Sequence, residues 1–227
     1  MDKQEKIAII EPKDLAKYID HTMLKADAVK AAFDKLCDEA IEYAFKSVCV
    51  NSSWVAYVAN RLQGTGVNVC SVVGFPLGAM SSKSKAFEAK DAIAQGASEI
   101  DMVLAIGRLK MGDVQYVEDD IRAVRQAAKK GVILKVIIET AMLTKDEKIT
   151  ACRLAKAAGA DFVKTCTGFG GGAATAEDIA LMKEIVGPSM GVKASGGVRN
   201  YDKAIELIAA GATRLGAQSS IAIVTGK

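Results

Sequence analysis

Histidine is almost missing from this chain: one residue, His21, in 227. A zinc site built on two or three imidazoles is therefore excluded, and so is any mechanism that needs a histidine pair. Aromatic residues are scarce at 5%. The 30 Lys and Arg are spread along the chain against 27 Asp and Glu, a net charge of +3. With no basic block and no stacking platform, nucleic acid is not an expected partner. No apolar run reaches the ~18 residues of a membrane span, and the longest, Gly131 to Leu143, is broken by Lys135 and Glu139. A membrane is not an expected partner either. The opening Met1-Asp2-Lys3-Gln4-Glu5-Lys6 has no apolar signal-peptide core. Cys37, Cys49, Cys70, Cys152 and Cys166 are an odd number without CxxC spacing. They read as small buried side chains in a reducing compartment, so the expected location is the cytoplasm.

What is present suits a soluble domain with a real core: 50% hydrophobic and 25% charged residues. At about 150 residues per domain the length fits one large domain, expected to span 1–227. β-rich runs stand at Tyr18–Thr22, Ser47–Val50, Val67–Val73, Glu99–Leu104, Val132–Ile138, Phe162–Cys166, Val192–Ser195 and Thr213–Gly216. Helical periodicity fills the gaps, as in Val29, Phe33, Leu36, Ala40 and Ile41, or Val114, Val117, Ile121, Val124 and Ala128. Thr144 with Glu147 has capping-box spacing, and Thr175 with Asp178 resembles it. Gln95-Gly96-Ala97, Lys130-Gly131, Ala158-Gly159-Ala160 and Ala210-Gly211-Ala212 read as left-handed helix caps. Eight strands alternating with helices predict a (β/α)8 TIM barrel. A doubly wound open sheet is the rival at this level.

Charge inside the strands carries the chemistry. In Glu99-Ile100-Asp101-Met102-Val103-Leu104 one face is aliphatic and the other holds Glu99 and Asp101. Lys135, Ile137 and Glu139 oppose Leu134, Val136 and Ile138, while Lys164 and Lys193 sit mid-strand. Period-two alternation sends the polar faces to the barrel axis. Three lysines would then meet Glu99, Asp101 and Glu139. Salt bridges that fix barrel closure are one reading of this set. The other is a nucleophilic amine, because two lysines brought together raise each other's cost of ionisation and lower lysine pKa. Free lysine titrates near ~10.4, so only about one in a few thousand is neutral at pH 7. A neutral lysine attacks a carbonyl, and the resulting iminium is an electron sink for C–C bond cleavage. Asp101 on the adjoining face could move protons.

Barrels usually bind phosphate in the loops after strands 7 and 8. Here those are Ser195-Gly196-Gly197-Val198-Arg199 and Gly216-Ala217-Gln218-Ser219-Ser220. Glycines admit an anion to backbone N–H groups, Arg199 adds charge and the serines add donors. Gly168-Phe169-Gly170-Gly171-Gly172, after the Lys164 strand, is a third permissive loop.

From Ile19 to about Val224 the chain resembles the class I deoxyribose-phosphate aldolase family. The likeness is carried by Ile19-Asp20-His21-Thr22, Val48-Cys49-Val50-Asn51, Val73-Gly74-Phe75-Pro76-Leu77-Gly78 and Glu99-Ile100-Asp101-Met102-Val103. Leu134 to Thr140, Phe162-Val163-Lys164-Thr165, Val192 to Arg199 and Arg214-Leu215-Gly216-Ala217 complete it. The resemblance implies reversible cleavage of 2-deoxyribose 5-phosphate to glyceraldehyde 3-phosphate and acetaldehyde, with no cofactor and no metal. It implies Lys164 as the Schiff-base lysine, Lys193 beside it as the group that lowers its pKa and relays protons, and Asp101 as the proton donor and acceptor. Asp20 and Thr22 would contact substrate hydroxyls or ordered water at the pocket mouth. Gly168, Gly196, Gly197, Val198, Arg199, Gly216 and Ser219 would bind the phosphosugar. His21, alternating with Asp20 and Thr22, would face away from the axis. Another Schiff-base phosphosugar aldolase and a non-catalytic phosphometabolite-binding barrel are the alternatives, and the chain is compatible with a monomer or a homodimer or larger homo-oligomer. Three departures stand out: Cys166 for a usual serine, Ser52 for a proline that would brace its turn, and Gln218 for a small serine in the phosphate loop. Cys49, at a strand end, is either a reactive thiol bordering the pocket or a buried inert one.

Overall fold

The computed structural model describes residues 10–129 and 131–226. The readings made on Met1 to Lys6 and on Lys130 lie outside them. Eight parallel strands close into a barrel in chain order. They are β1 Ile19–Met23, β2 Ser47–Val50, β3 Asn68–Val73, β4 Glu99–Val103, β5 Ile133–Ile137, β6 Phe162–Lys164, β7 Gly191–Ser195 and β8 Arg214–Ala217. Strand β8 pairs with β1 through Asp20 opposite Gly216, which closes the ring. The eight expected strands are all there and the open-sheet alternative falls.

The helices are α1 Lys30–Glu42, α2 Val55–Arg61, α3 Ser82–Ala94, α4 Ile106–Lys110, α5 Val114–Ala127, α6 Lys145–Ala157, α7 Ala176–Val186, α8 Tyr201–Ala209 and α9 Ser220–Val224. A 3-10 turn, Pro12–Tyr18, precedes β1 and takes Tyr18 out of the strand. Thr144 and Glu147 form a reciprocal capping box on α6, whereas Thr175 accepts only the Asp178 N–H on α7. Gly96, Gly131, Gly159 and Gly211 have positive φ, as a left-handed exit from a helix requires.

The apolar core lies between the sheet and the helices. Ile100, Met102, Leu134 and Val136 on the outer strand faces are fully buried, as are Val117, Ile121 and Val124 of α5. Burying each such side chain stabilises by ~1.5–3 kcal/mol relative to exposure. Three of the periodic residues do not join them: Val29, Ile41 and Val114 are 66, 44 and 43% exposed. Val29 is the N-cap of α1, Ile41 lies in its last turn and Val114 opens α5, where the helix has left the sheet. One charged strut crosses this layer. Lys85 of α3 donates to Asp120 of α5 at 2.6 Å and to the Val103 carbonyl at 2.9 Å, with both side chains fully buried.

Candidate active site

The inner strand faces hold a buried charge cluster, with a small apolar cluster of Cys49, Cys70 and Val72 beside it. Asp20 (β1), Glu99 and Asp101 (β4), Lys135 (β5), Lys164 (β6), Lys193 (β7) and Arg214 (β8) are all at most 4% exposed. Asp101 is the hub. Its Oδ2 accepts from Lys164 and from Lys193, each at 2.8 Å. Its Oδ1 accepts from Lys135 at 2.9 Å and from the Cys70 thiol at 3.1 Å. Below, Arg214 donates to Asp20 at 2.5 Å and to Glu99 at 3.1 Å, and Lys135 lies 2.5 Å from Glu99. Asp20 also accepts from Ser47 at 2.6 Å and pairs with Lys193.

Burial alone would raise the Asp101 carboxyl, but Lys135, Lys164 and Lys193 outweigh it and hold the group well below the usual carboxylate range. Asp20 is lowered in the same way, against its burial, by Lys193, Lys135 and Arg214. For Lys193, burial favours the neutral amine, yet Asp101 and Asp20 prevail and keep it ammonium above the ordinary lysine range. This reverses the expected mutual lowering of the lysines as far as Lys193 is concerned: a carboxylate oxygen lies between the two amines. Lys193 is a fixed cation. Three carboxylates face four basic groups, so the cluster is neutral when Lys164 is a free amine.

Above the cluster opens a cavity of about 240 Å³ lined by Thr22, Leu24, Lys164, Thr167, Gly168, residues 195–199 and residues 216–219. Strand β6 ends at Lys164, which places that amine at the carboxyl ends of the strands, where barrel sites lie. Among the described residues, Lys164 is the one interior cation that lines this cavity. The loops after β7 and β8 line it as well, which brings Gly196, Gly197, Val198, Arg199, Gly216 and Ser219 together with Gly168. Among the described residues, no group of the chain accepts the N–H groups of Gly197, Val198 or Ser219. Two glycines are needed for space. A Cβ on Gly196, at φ 90°, would lie 2.9 Å from the Gly172 carbonyl oxygen, and one on Gly216 would lie 3.1 Å from Lys193 Cε.

Two expectations require correction. Asp20 is not at the mouth: it is fully buried beneath the cavity, bound by Arg214, Ser47 and Lys193. Thr22, two residues on and so one pleat higher, does line the cavity. Glu139 is not in the charge cluster. The β5 ladder ends at Ile137, Glu139 adopts a left-handed φ of 56°, and its carboxylate turns to Thr167. Arg214 takes a place in the cluster that the sequence reading gave to no one. Its alternation with Gly216 on one strand face was the available signal.

His21 faces outward, bonded to Ser220 and Glu39 at 2.8 Å each. Cys49 is buried and does not line the cavity. It stands opposite Cys70 in the β2–β3 register, and a hydrogen bond with Cys70 lowers its thiol pKa against the effect of burial. Ser52 opens a short 3-10 turn and donates to Glu88 at 3.0 Å, so its turn is braced without a proline. Cys166 is buried with Sγ 3.6 Å from Thr140 Oγ1, and Gln218 lines the cavity.

A closed parallel barrel with an amine at a strand end, a carboxylate bonded to it and a glycine-walled cavity above is the frame of a (β/α)8 aldolase. Comparison with known proteins agrees. A model described as DeoC/LacD family aldolase matches residues 15–224. A deoxyribose-phosphate aldolase of Clostridium perfringens is 60% identical over 227 residues, covering 100% of this chain and 97% of that protein. Deoxyribose-phosphate aldolase 1 of Oceanobacillus iheyensis is 58% identical over 214 residues, 94% of this chain and 97% of the relative. Among solved structures, the deoxyribose phosphate aldolase of Aeropyrum pernix superposes with a TM-score of 0.89 at 31% identity, covering 95% of this chain and 91% of that one. The chain belongs to the DeoC/LacD aldolase family, and is a carbon–carbon lyase.

Proposed function

We propose that this aldolase cleaves 2-deoxyribose 5-phosphate reversibly to glyceraldehyde 3-phosphate and acetaldehyde, with Lys164 as the Schiff-base nucleophile. The observation that carries the assignment is the position of the Lys164 amine, at the cavity wall and 2.8 Å from Asp101. The neutral amine attacks the C1 carbonyl, and loss of water gives the iminium. The C2–C3 bond then breaks, its electrons flow to the iminium nitrogen and the C3 hydroxyl surrenders its proton as glyceraldehyde 3-phosphate leaves. The remaining enamine takes a proton at C2, and water releases acetaldehyde and restores the amine.

Asp101, a carboxylate at neutral pH, is the acceptor in reach for the protons shed by Lys164 and by the C3 hydroxyl, directly or through water. Lys193 is the fixed cation that balances Asp101. The C3 oxygen, as it gives up its proton, meets a site with positive charge already in place. The phosphate would lie against the free N–H groups of the β7 and β8 loops with Arg199 at the rim, and Thr22 would meet the sugar. Substrate capture tests the assignment. With acetaldehyde and borohydride, peptide mass spectrometry should find Lys164 ethylated, and Lys164→Ala should abolish both capture and turnover. No adduct, or one only on another lysine, would sink it.

The five cysteines are free and buried, the curated relatives above are bacterial and no described helix is long and apolar enough to cross a membrane. These features support a cytoplasmic location. A homo-oligomer is supported by the Aeropyrum pernix relative, which is described as tetrameric, and light scattering on the purified chain would test it.

A further inference from the structure

Glu139 stands outside the charge cluster, yet it is 1% exposed, held at φ 56° and set against a second cavity. Its Oε2 accepts from the Thr167 hydroxyl at 2.5 Å and from the Thr167 N–H at 3.1 Å. Thr167 Oγ1 in turn accepts the Phe169 N–H at 3.0 Å. The loop after β6 is moulded around this carboxylate: a Cβ on Gly170 would lie 2.9 Å from Glu139 Cδ. The backbone on either side of Glu139 is tied to β6 as well, Ile138 N–H to the Lys164 carbonyl and Thr140 N–H to the Thr165 carbonyl, both at 3.0 Å. Thr167 lines the catalytic cavity next to Lys164. With Glu139 and Gly170 it also lines a second, apolar cavity of about 170 Å³ bounded by Pro76, Ile106 and Phe169. The wall between the two spaces is therefore Thr167, and Glu139 is what holds it.

We propose that Glu139 is a positioning residue that fixes both the place and the hydrogen-bond polarity of Thr167 in the catalytic cavity. Both donors of Thr167 are spent on Glu139, so Thr167 can only accept from a ligand. A substrate hydroxyl lying against it is held as a donor, its lone pairs turned elsewhere. A carbonyl or ether oxygen at the same spot finds no partner there, and an unmet buried acceptor is penalised. The site thus favours a hydroxylated chain between the Schiff-base carbon and the phosphate, the substrate class of the function proposed above, on which this inference rests. Acetaldehyde has no hydroxyl and is too short to depend on Thr167 once bound to Lys164.

The test exploits that difference. Glu139→Ala should keep the rate of acetaldehyde capture at Lys164 close to wild type. Its kcat/KM for 2-deoxyribose 5-phosphate should fall on the order of 10- to 100-fold, as a displaced positioning group costs. Thr167→Val should show the same split, and the double variant should be no worse than the poorer single one, because the two side chains act as a unit. Glu139→Gln, which can present its carbonyl to Thr167, should recover part of the loss. Parallel loss of capture and turnover in Glu139→Ala, no loss of either, or additive losses in the double variant would overturn the proposal. If Glu139→Ala does not fold, Thr167→Val decides alone: wild-type turnover in it refutes the inference. Absence of capture in the wild type would instead refute the Schiff-base assignment, so the two failures are distinguishable.

Discussion

Replacing Asp20 by Asn tests whether the interior charges are a mutually dependent set. In the wild type, Asp20, Glu99 and Asp101 face Lys135, Lys164, Lys193 and Arg214, a balance of 3 against 4. Asp20→Asn makes it 2 against 4. Arg214 loses its 2.5 Å partner and keeps only Glu99 at 3.1 Å, while Lys193 keeps only Asp101. All these side chains are nearly or fully buried, so water cannot replace the lost carboxylate. Removing one partner of a buried pair costs about 3–5 kcal/mol, a large share of the ~5–15 kcal/mol of a typical fold. At about 2–4 °C per kcal/mol for a chain of this length, the melting temperature should drop by roughly 6–20 °C. Calorimetry and urea unfolding would measure it. Asp20→Asn combined with Arg214→Met removes one charge of each sign, to 2 against 3, and should recover at least half of the loss. A single variant within 1 kcal/mol of wild type, or a double variant as unstable as the sum of its parts, would refute the idea of a coupled network.

Other outcomes follow from the same structure. Lys85→Met leaves Asp120 buried and unpaired and should destabilise by about 3–5 kcal/mol, whereas Lys85→Met with Asp120→Leu should recover most of that in urea unfolding. Burial lowers the His21 pKa despite the opposing pull of Glu39. The unfolded chain therefore binds the proton more readily, and this stability contribution is present above ~6.5 and lost as pH falls below it. His21→Gln should flatten the fall in urea midpoint between about pH 8 and about pH 5.5. Arg199→Ala should raise KM for the phosphorylated sugar about tenfold, the equivalent of ~1.4 kcal/mol, and leave KM for unphosphorylated 2-deoxyribose unchanged.

The fold was legible because charge and aliphatic side chains alternate so cleanly in β4, β5 and β7 that face and strand could be read together. Lys164, Asp101 and Lys193 converge for that reason. What alternation does not encode is depth. Whether Asp20 lies at the mouth or the floor depends on barrel stagger, seen only once Asp20 is paired with Ser47 and Gly216. Counting in twos past Ile137 puts Glu139 in the interior, and one left-handed residue ends that count. The role of Arg214 is hidden in the sequence because its partners Asp20 and Glu99 lie 194 and 115 residues away. Val29 and Ile41 continue the apolar period of α1 but occupy its ends, where the sheet no longer covers them.

The reach of Arg214 bears on how the chain is made. It sits on β8, so during synthesis Asp20 and Glu99 emerge long before their guanidinium does. Until β8 docks, the carboxylates and ammonium groups on the inner faces of the first seven strands lie open to water, beside the apolar Cys49, Cys70 and Val72. Those groups shed that water only as the last strand slots between β7 and β1. Closing the cylinder and pairing Asp20 and Glu99 with Arg214 are then one event, and a truncated product lacking β8 should be loosely packed and inert.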